Sequence, residues 1–259
     1  PNLLTQGLST KDWKELSENE RNPLSNKALS GQYSPGSTFK MIVALAALEN
    51  GVITSQTRSF CAGKMFLGSH AFHCWKNAGH GYINVVEALK HSCDIFFYET
   101  AQKLGINKIA EMSRAFGLGA KVNVGLENEK SGLIPDTEWK LNRFGEPWQQ
   151  GENLISGIGQ GYILTTPIQL ATMTARIANG GYEIQPTFSK VDAAAAASVK
   201  KMKLNPVNVE LVKQGMFEVV NIPGGTAYGS RFDFNGDGRN RRPDFRAGIR
   251  RGRLFVKTV

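Results

Sequence analysis

The chain has 259 residues, 41% of them hydrophobic and 20% charged, the balance of one large or two small folded domains and unlike disordered, collagen-like or coiled-coil chains. The formal net charge of +9 raises a nucleic-acid or anionic surface, but eight Arg and one Lys against three Asp after Ser230 supply +6 of it, so nucleic acid is excluded as a partner. The longest strongly apolar run, Met41 to Leu48, has eight residues against the roughly 20 that cross a bilayer, and with no leader before Pro1 any targeting or anchoring segment is expected to lie outside this sequence.

In chain order, residues 1–33 read as a lead-in with one short helix around Lys11 to Leu16. Ser34-Pro35-Gly36 forms a turn, and Ser37 to Asn50 reads as a mostly buried helix closed at Gly51, where a glycine C-cap is expected. Cys61 to Gly81 is rich in Gly, His and aromatics without a period and predicts a long loop. Val85 to Leu89 and Asp94 to Leu104 are apolar at helical spacing, with a break at Ser92-Cys93. Gly117 to Pro135 is turn-rich, whereas Thr165-Thr166-Pro167 before Ile168 to Asn179 gives an N-cap, a first-turn proline and a Gly-Gly stop. The alanines before Ser198 are low complexity, Val207 to Val220 predicts an amphipathic helix, and strands are expected at Glu183 to Pro186 and after Phe232.

Two Ser-x-x-Lys pairs occur among the sixteen serines, and chance supplies about one. Ser198 with Lys201 has no turn before it and is assigned to accident. Ser37 with Lys40 is delivered by a turn to a helix start, where free N–H groups and the positive dipole end favour a developing oxyanion. Lys40, one turn on, can then serve as a base for the Ser37 hydroxyl. An N-cap serine followed by a snorkelling lysine is the bland alternative. Ser92-Cys93-Asp94 likewise offers either a hydroxyl and a carboxylate to one pocket or merely a helix cap.

Taken together, four segments closely resemble the transpeptidase domain of class B penicillin-binding proteins, above all the penicillin-binding protein 2 subgroup of the rod-elongation machinery, over roughly residues 1–236. They are Tyr33 to Lys40, Ser92 to Asp94 with Phe96-Phe97-Tyr98, Gly157 to Tyr162, and Thr166-Pro167-Ile168-Gln169-Leu170, supported by Trp75-Lys76, Gly79-His80-Gly81 and Asn2 to Leu4. The resemblance implies an α/β (α+β) fold shared with serine β-lactamases: an antiparallel sheet flanked by helices, plus a helical subdomain. It also implies a peptidoglycan D,D-transpeptidase in which Ser37 is acylated, Lys40 is its base, Ser92 relays a proton toward the leaving amine, and Asp94 stands where relatives more often carry Asn. Stem peptides and β-lactams are the implied ligands, an elongation glycosyltransferase and scaffold proteins the partners, and the periplasmic face of the bacterial inner membrane the location. No cofactor is expected for catalysis.

The third motif of that family, Lys-Thr-Gly, is expected within about ten residues of Asn235-Gly236, but the sequence continues Asp237-Gly238-Arg239-Asn240-Arg241-Arg242. Lys257-Thr258-Val259 lies too far on and lacks the glycine. Five Arg and seventeen Lys precede Arg231, and eight Arg and one Lys follow from it, so residues 1–236 are expected to be a partial transpeptidase domain and 237–259 an atypical, out-of-frame or unrelated tail. Asp233, Asn235, Asp237, Gly238 and Asp244 fit a calcium-loop pattern, but Arg239, Arg241 and Arg242 inside it would repel a cation. Two rivals follow, a serine β-lactamase or β-lactam sensor and a catalytically dead remnant that only binds partners.

All three cysteines and all four histidines fall within the 33 residues from Cys61 to Cys93. Cys61, Cys74, His80 and Cys93 make a closed tetrahedral zinc set, whose role would be structural because no position is left for water. In an oxidising compartment the competing reading is one disulfide and a spare thiol.

Overall fold

Helix α4 (Lys40–Glu49) is apolar around its whole circumference, and Ile42, Val43, Ala44, Leu45, Ala46 and Ala47 have no exposed surface. A helix of that kind has to be covered on every side. In the computed structural model, which describes residues 2–188, 198–231, 248–250 and 253–255, α6 (Asp94–Leu104), α7 (Ile106–Ala115) and α11 (Pro206–Asn221) pack against it. Phe39, Phe96, Phe97, Ile109 and Leu118 complete this core.

Before α4 lie α1 (Asn2–Gln6), α2 (Thr10–Ser17) and α3 (Lys27–Ser30); α2 starts from a Ser9–Asp12 capping box and buries nothing, as expected of a lead-in. The predicted helix at Ser37 is displaced. Gly36–Phe39 is a 3-10 turn and the α-helix begins at Lys40, because Gly36 takes φ +57°, outside the helical region. Ser37 therefore stands on the turn ahead of α4.

The expected long loop is instead two small antiparallel sheets. Strand β1 (Ser59–Cys61) pairs with β4 (Gly81–Ile83), Cys61 opposite Gly81; β2 (Lys64–Leu67) and β3 (His70–His73) form a hairpin with Lys64 opposite His73. Helix α5 (Val85–Lys90) follows from an Asn84–Glu87 capping box, and Gly215 lets α11 approach Leu89 of α5 closely.

The sequence reading did not anticipate α7, nor the two helices that come next, α8 (Thr137–Phe144) and α9 (Gln150–Gly157). Gly157 brings α9 onto α6, since a Cβ there would lie 2.5 Å from that of Ala101. Helix α10 (Pro167–Ala178) has the predicted Thr166 cap, closed into a box by Gln169. The strand expected at Glu183 to Pro186 is reduced to one bridge, Tyr182 to Lys201.

Strands β5 (Gly248–Arg250) and β6 (Arg253–Phe255) pair with each other. Among the described residues every sheet has two strands, so helices supply the framework. The alanine run, the calcium-pattern residues and Lys257-Thr258-Val259 lie outside the described residues.

Candidate active site

The four sequence segments meet around the Gly36–Phe39 turn. Tyr33 and Thr165 exchange backbone hydrogen bonds of 2.9 and 2.8 Å, and Gly36 N–H donates to Gly159 O at 2.9 Å. Gly159 holds φ +72°, and a Cβ on it would sit 2.3 Å from Gly36 O and 2.7 Å from Phe39 Cβ. Only glycine permits that approach, so the Gly157–Tyr162 segment buttresses the turn that carries Ser37.

Ser37 is exposed at the cleft, while Lys40 is buried, its side chain 1% accessible. Lys40 Nζ donates to Ser92 Oγ (3.1 Å), Ser92 O (2.9 Å) and Asp94 Oδ1 (2.7 Å). Ser92 Oγ in turn donates to Ser37 Oγ at 2.8 Å. All three protons of the ammonium are thereby used. The sequence reading has Lys40 near enough to take the Ser37 proton; in the structure Ser92 Oγ hydrogen-bonds both groups. Helix α4 turns Lys40 inward to the start of α6, whereas Ser37 faces out, and Ser92 reaches both.

Ser92 achieves this with φ +50°, a left-handed conformation that a non-glycine residue adopts at a cost and that recurs at functional sites. It caps the break between α5 and α6, its N–H bonded to Leu89 O at 3.1 Å. Asp94, in the first turn of α6, is fixed at both oxygens: Oδ1 by Lys40 and Oδ2 by the backbone N–H of Trp75 at 2.9 Å. The Trp75 indole N–H is shared between His91 O (2.9 Å) and Ser92 O (3.1 Å). Trp75 was noted in the sequence only as part of the resemblance, and nothing in its spacing announced these bonds.

The cleft over this array has a volume of about 700 Å³, and its walls include Ser37, Ser92, Asp94, Trp75, Gln160 and Thr226. Thr226 was not singled out from sequence; the chain after α11 folds back, with Gly224 O accepting from His91 Nδ1 at 3.0 Å and Thr226 N–H donating to Lys90 O at 3.2 Å. Ser198 and Lys201 take no part, Lys201 lying over the Tyr182 ring.

The predicted metal set also converges. Ligand atoms of Cys61, Cys74, His80 and Cys93 all lie within 4.8 Å of one another, and none of the three thiols is in a disulfide. His80 Nδ1 is 3.5 Å from Cys61 Sγ and 3.6 Å from Cys74 Sγ. Tetrahedral zinc with ordinary Zn–S and Zn–N bonds requires a sulfur-to-nitrogen spacing of about 3.6 Å. Gly79 makes the convergence possible, because its φ is +74° and a Cβ there would lie 2.1 Å from Cys61 O. A hydrogen bond from Cys93 brings the Cys74 thiol down to about 5, and the same bond together with burial pushes Cys93 up. Burial holds His80 below the usual imidazole range, and its Nε2 is buried without a partner. A neutral imidazole and at least one ready thiolate are what a soft divalent ion needs.

The penicillin-binding protein transpeptidase domain family matches residues 6–237. Peptidoglycan D,D-transpeptidase MrdA of Escherichia coli K12 is 39% identical over 238 residues, covering 88% of this chain and 38% of the relative; the Acinetobacter baumannii protein of that name is 36% identical over 239 residues, 89% of this chain and 36% of the relative. The chain thus spans under two fifths of the length of these curated relatives. Among solved structures, Pseudomonas aeruginosa PBP2 in complex with WCK 5153 has a TM-score of 0.79 at 39% identity, covering 86% of this chain and 52% of that one. PBP2 from Helicobacter pylori, also solved in complex with MreC, has a TM-score of 0.78 at 37% identity and covers 89% of this chain, against 43% of the free protein and 42% of the complexed one.

Proposed function

The chain belongs to the penicillin-binding protein transpeptidase family, and on that premise we propose that it is the catalytic part of a D,D-transpeptidase that cross-links peptidoglycan stem peptides during cell elongation. The observation that carries this reading is the unbroken path Ser37 Oγ–Ser92 Oγ–Lys40 Nζ at the floor of an open cleft. Ser37 attacks the carbonyl between the two terminal D-alanines. The relay requires Lys40 as the neutral amine and both hydroxyl hydrogen bonds turned from the resting direction, Ser37 donating to Ser92 and Ser92 to Lys40. The Ser37 proton then passes to Ser92 Oγ while that of Ser92 passes to Lys40 Nζ, and Asp94 balances the ammonium so formed. Run in reverse, the path protonates the departing D-alanine amine. The acyl group on Ser37 is then taken by the amine of a second stem peptide. Penicillins acylate the same oxygen, since their strained amide presents an equivalent carbonyl.

By the same reading the protein works at the periplasmic face of the inner membrane with an elongation glycosyltransferase and scaffold proteins; the likeness to PBP2 bound to MreC supports this. No helix among the described residues is long and apolar enough to cross a membrane. Cys61, Cys74, His80 and Cys93 would hold one structural zinc. These four ligands would tie the β1–β4 region to the start of α6 and, leaving no open position, would give the ion no part in the chemistry.

The test uses a chimera in which the in-frame Lys-Thr-Gly segment of a relative replaces residues after Gly236. It should release D-alanine from a peptide ending in D-Ala-D-Ala, and Ser37→Ala should abolish release. Release that persists without the Ser37 hydroxyl contradicts the assignment.

A further inference from the structure

The four soft ligands are joined to the reacting groups by the chain itself. Cys93 lies between Ser92 and Asp94, and Cys74 precedes Trp75, whose N–H holds Asp94 Oδ2. Cys74 also lines the cleft, unlike Cys61 and Cys93. The Cys74 and Cys93 sulfurs lie within 4.8 Å of each other, whereas the hydrogen bonds of the set to His80 come from Cys61 and Cys74, so that among the thiols Cys93 alone has none to the imidazole. All three thiols are buried, but Cys74 belongs to the wall of the cleft, while Cys93 lies behind it with no exposed surface.

We propose that Cys74 and Cys93 are an oxidisable pair, which a peroxide entering the cleft converts to a disulfide with expulsion of the zinc ion. This inference rests on the zinc reading above. The Cys74 sulfur attacks one peroxide oxygen, the O–O bond breaks, and hydroxide leaves, giving a sulfenic acid. The Cys93 sulfur then attacks the Cys74 sulfur, the S–O bond breaks, and a second hydroxide leaves. Two thiolates lose two electrons, hydrogen peroxide gains them, and two protons complete two waters. Cys61 and His80 alone cannot close a tetrahedral site, so the ion departs. Bond formation draws the sulfurs to about 2.05 Å, and the shift is transmitted to Ser92 and Asp94 on either side of Cys93. The set is then both a structural clamp and a point where an oxidant disarms the cleft, and a thiol reductant with zinc resets it.

The experiment uses the full chain as purified. Native mass spectrometry first counts zinc; hydrogen peroxide is then added stepwise, with a chromogenic chelator reading released zinc and peptide mapping reading the disulfide. One zinc should be released per disulfide formed, the linked peptides should contain Cys74 and Cys93, and dithiothreitol with zinc should restore the starting mass. In Cys61→Ser the same pair should still form, whereas Cys93→Ser should stop at a Cys74 sulfenic acid that dimedone traps. Zinc that stays bound through excess peroxide, or a disulfide that contains Cys61, overturns the inference. A chain that carries no zinc before peroxide overturns the metal reading and with it the expulsion step, while the disulfide map still decides the pair.

Discussion

The nucleophile side and the thiol side of the cleft are built on opposite plans. On the first, Lys40 spends its three donors on Ser92 and Asp94, and Asp94 is held at both oxygens; the polar groups complete one another. On the second, three buried thiols and an imidazole gather with His80 Nε2 left unpartnered. The first closes without help because helices with large apolar faces aim its side chains. The second is carried by two-stranded sheets too small to hold their shape alone, and under the zinc proposal a bound ion would supply the stability that packing does not.

The sharpest way to break that contrast is to remove the ion. Chelation should lower Tm by about 10 °C or more, and Cys74→Ser and His80→Ala should each abolish zinc binding as read by metal analysis; an unchanged Tm after complete stripping would make the thiol side self-sufficient as well. Next in size is Lys40→Ala in the chimera, which leaves Asp94 without its cation and the Ser37 proton without an acceptor. Penicillin acylation should slow at least about 100-fold, the scale of a lost general base, with little change in zinc content. Smaller again is Gly159→Ala, which forces a Cβ against Gly36 O in a backbone conformation that disfavours it. It should cost about 1–3 kcal/mol of stability in denaturant unfolding and slow acylation by moving the Ser37 turn, while the zinc stays bound.

Much of the nucleophile side was readable in the sequence because its signals are local. A turn before Ser37-x-x-Lys40, the break at Ser92-Cys93-Asp94 and the Thr166 cap each depend on neighbours a few residues away. Ser92 as a proton relay came only from the family resemblance, and that its hydroxyl bonds both Ser37 and Lys40 was not readable, because it depends on a positive φ and on the direction in which α4 meets α6. The thiol side was legible only as a clustering of Cys and His. Its strands were hidden because Lys64 to His73 alternates weakly and is mostly exposed, and because the closeness of Cys61 to His80 depends on Gly79 passing under another strand. Helices α8 and α9 were missed for a related reason: each has eight residues and rests on its Asp136 or Gln149 cap rather than on a long apolar stripe.

The central claim, that Ser37 is the acylated oxygen and is served by Lys40 through Ser92, is tested most directly by treating the chimera with penicillin and locating the adduct by peptide mass spectrometry. The adduct should sit on Ser37 alone, vanish in Ser37→Ala, and form much more slowly in Ser92→Ala. An adduct on another residue, or one that forms in Ser92→Ala at the unaltered rate, would contradict the account.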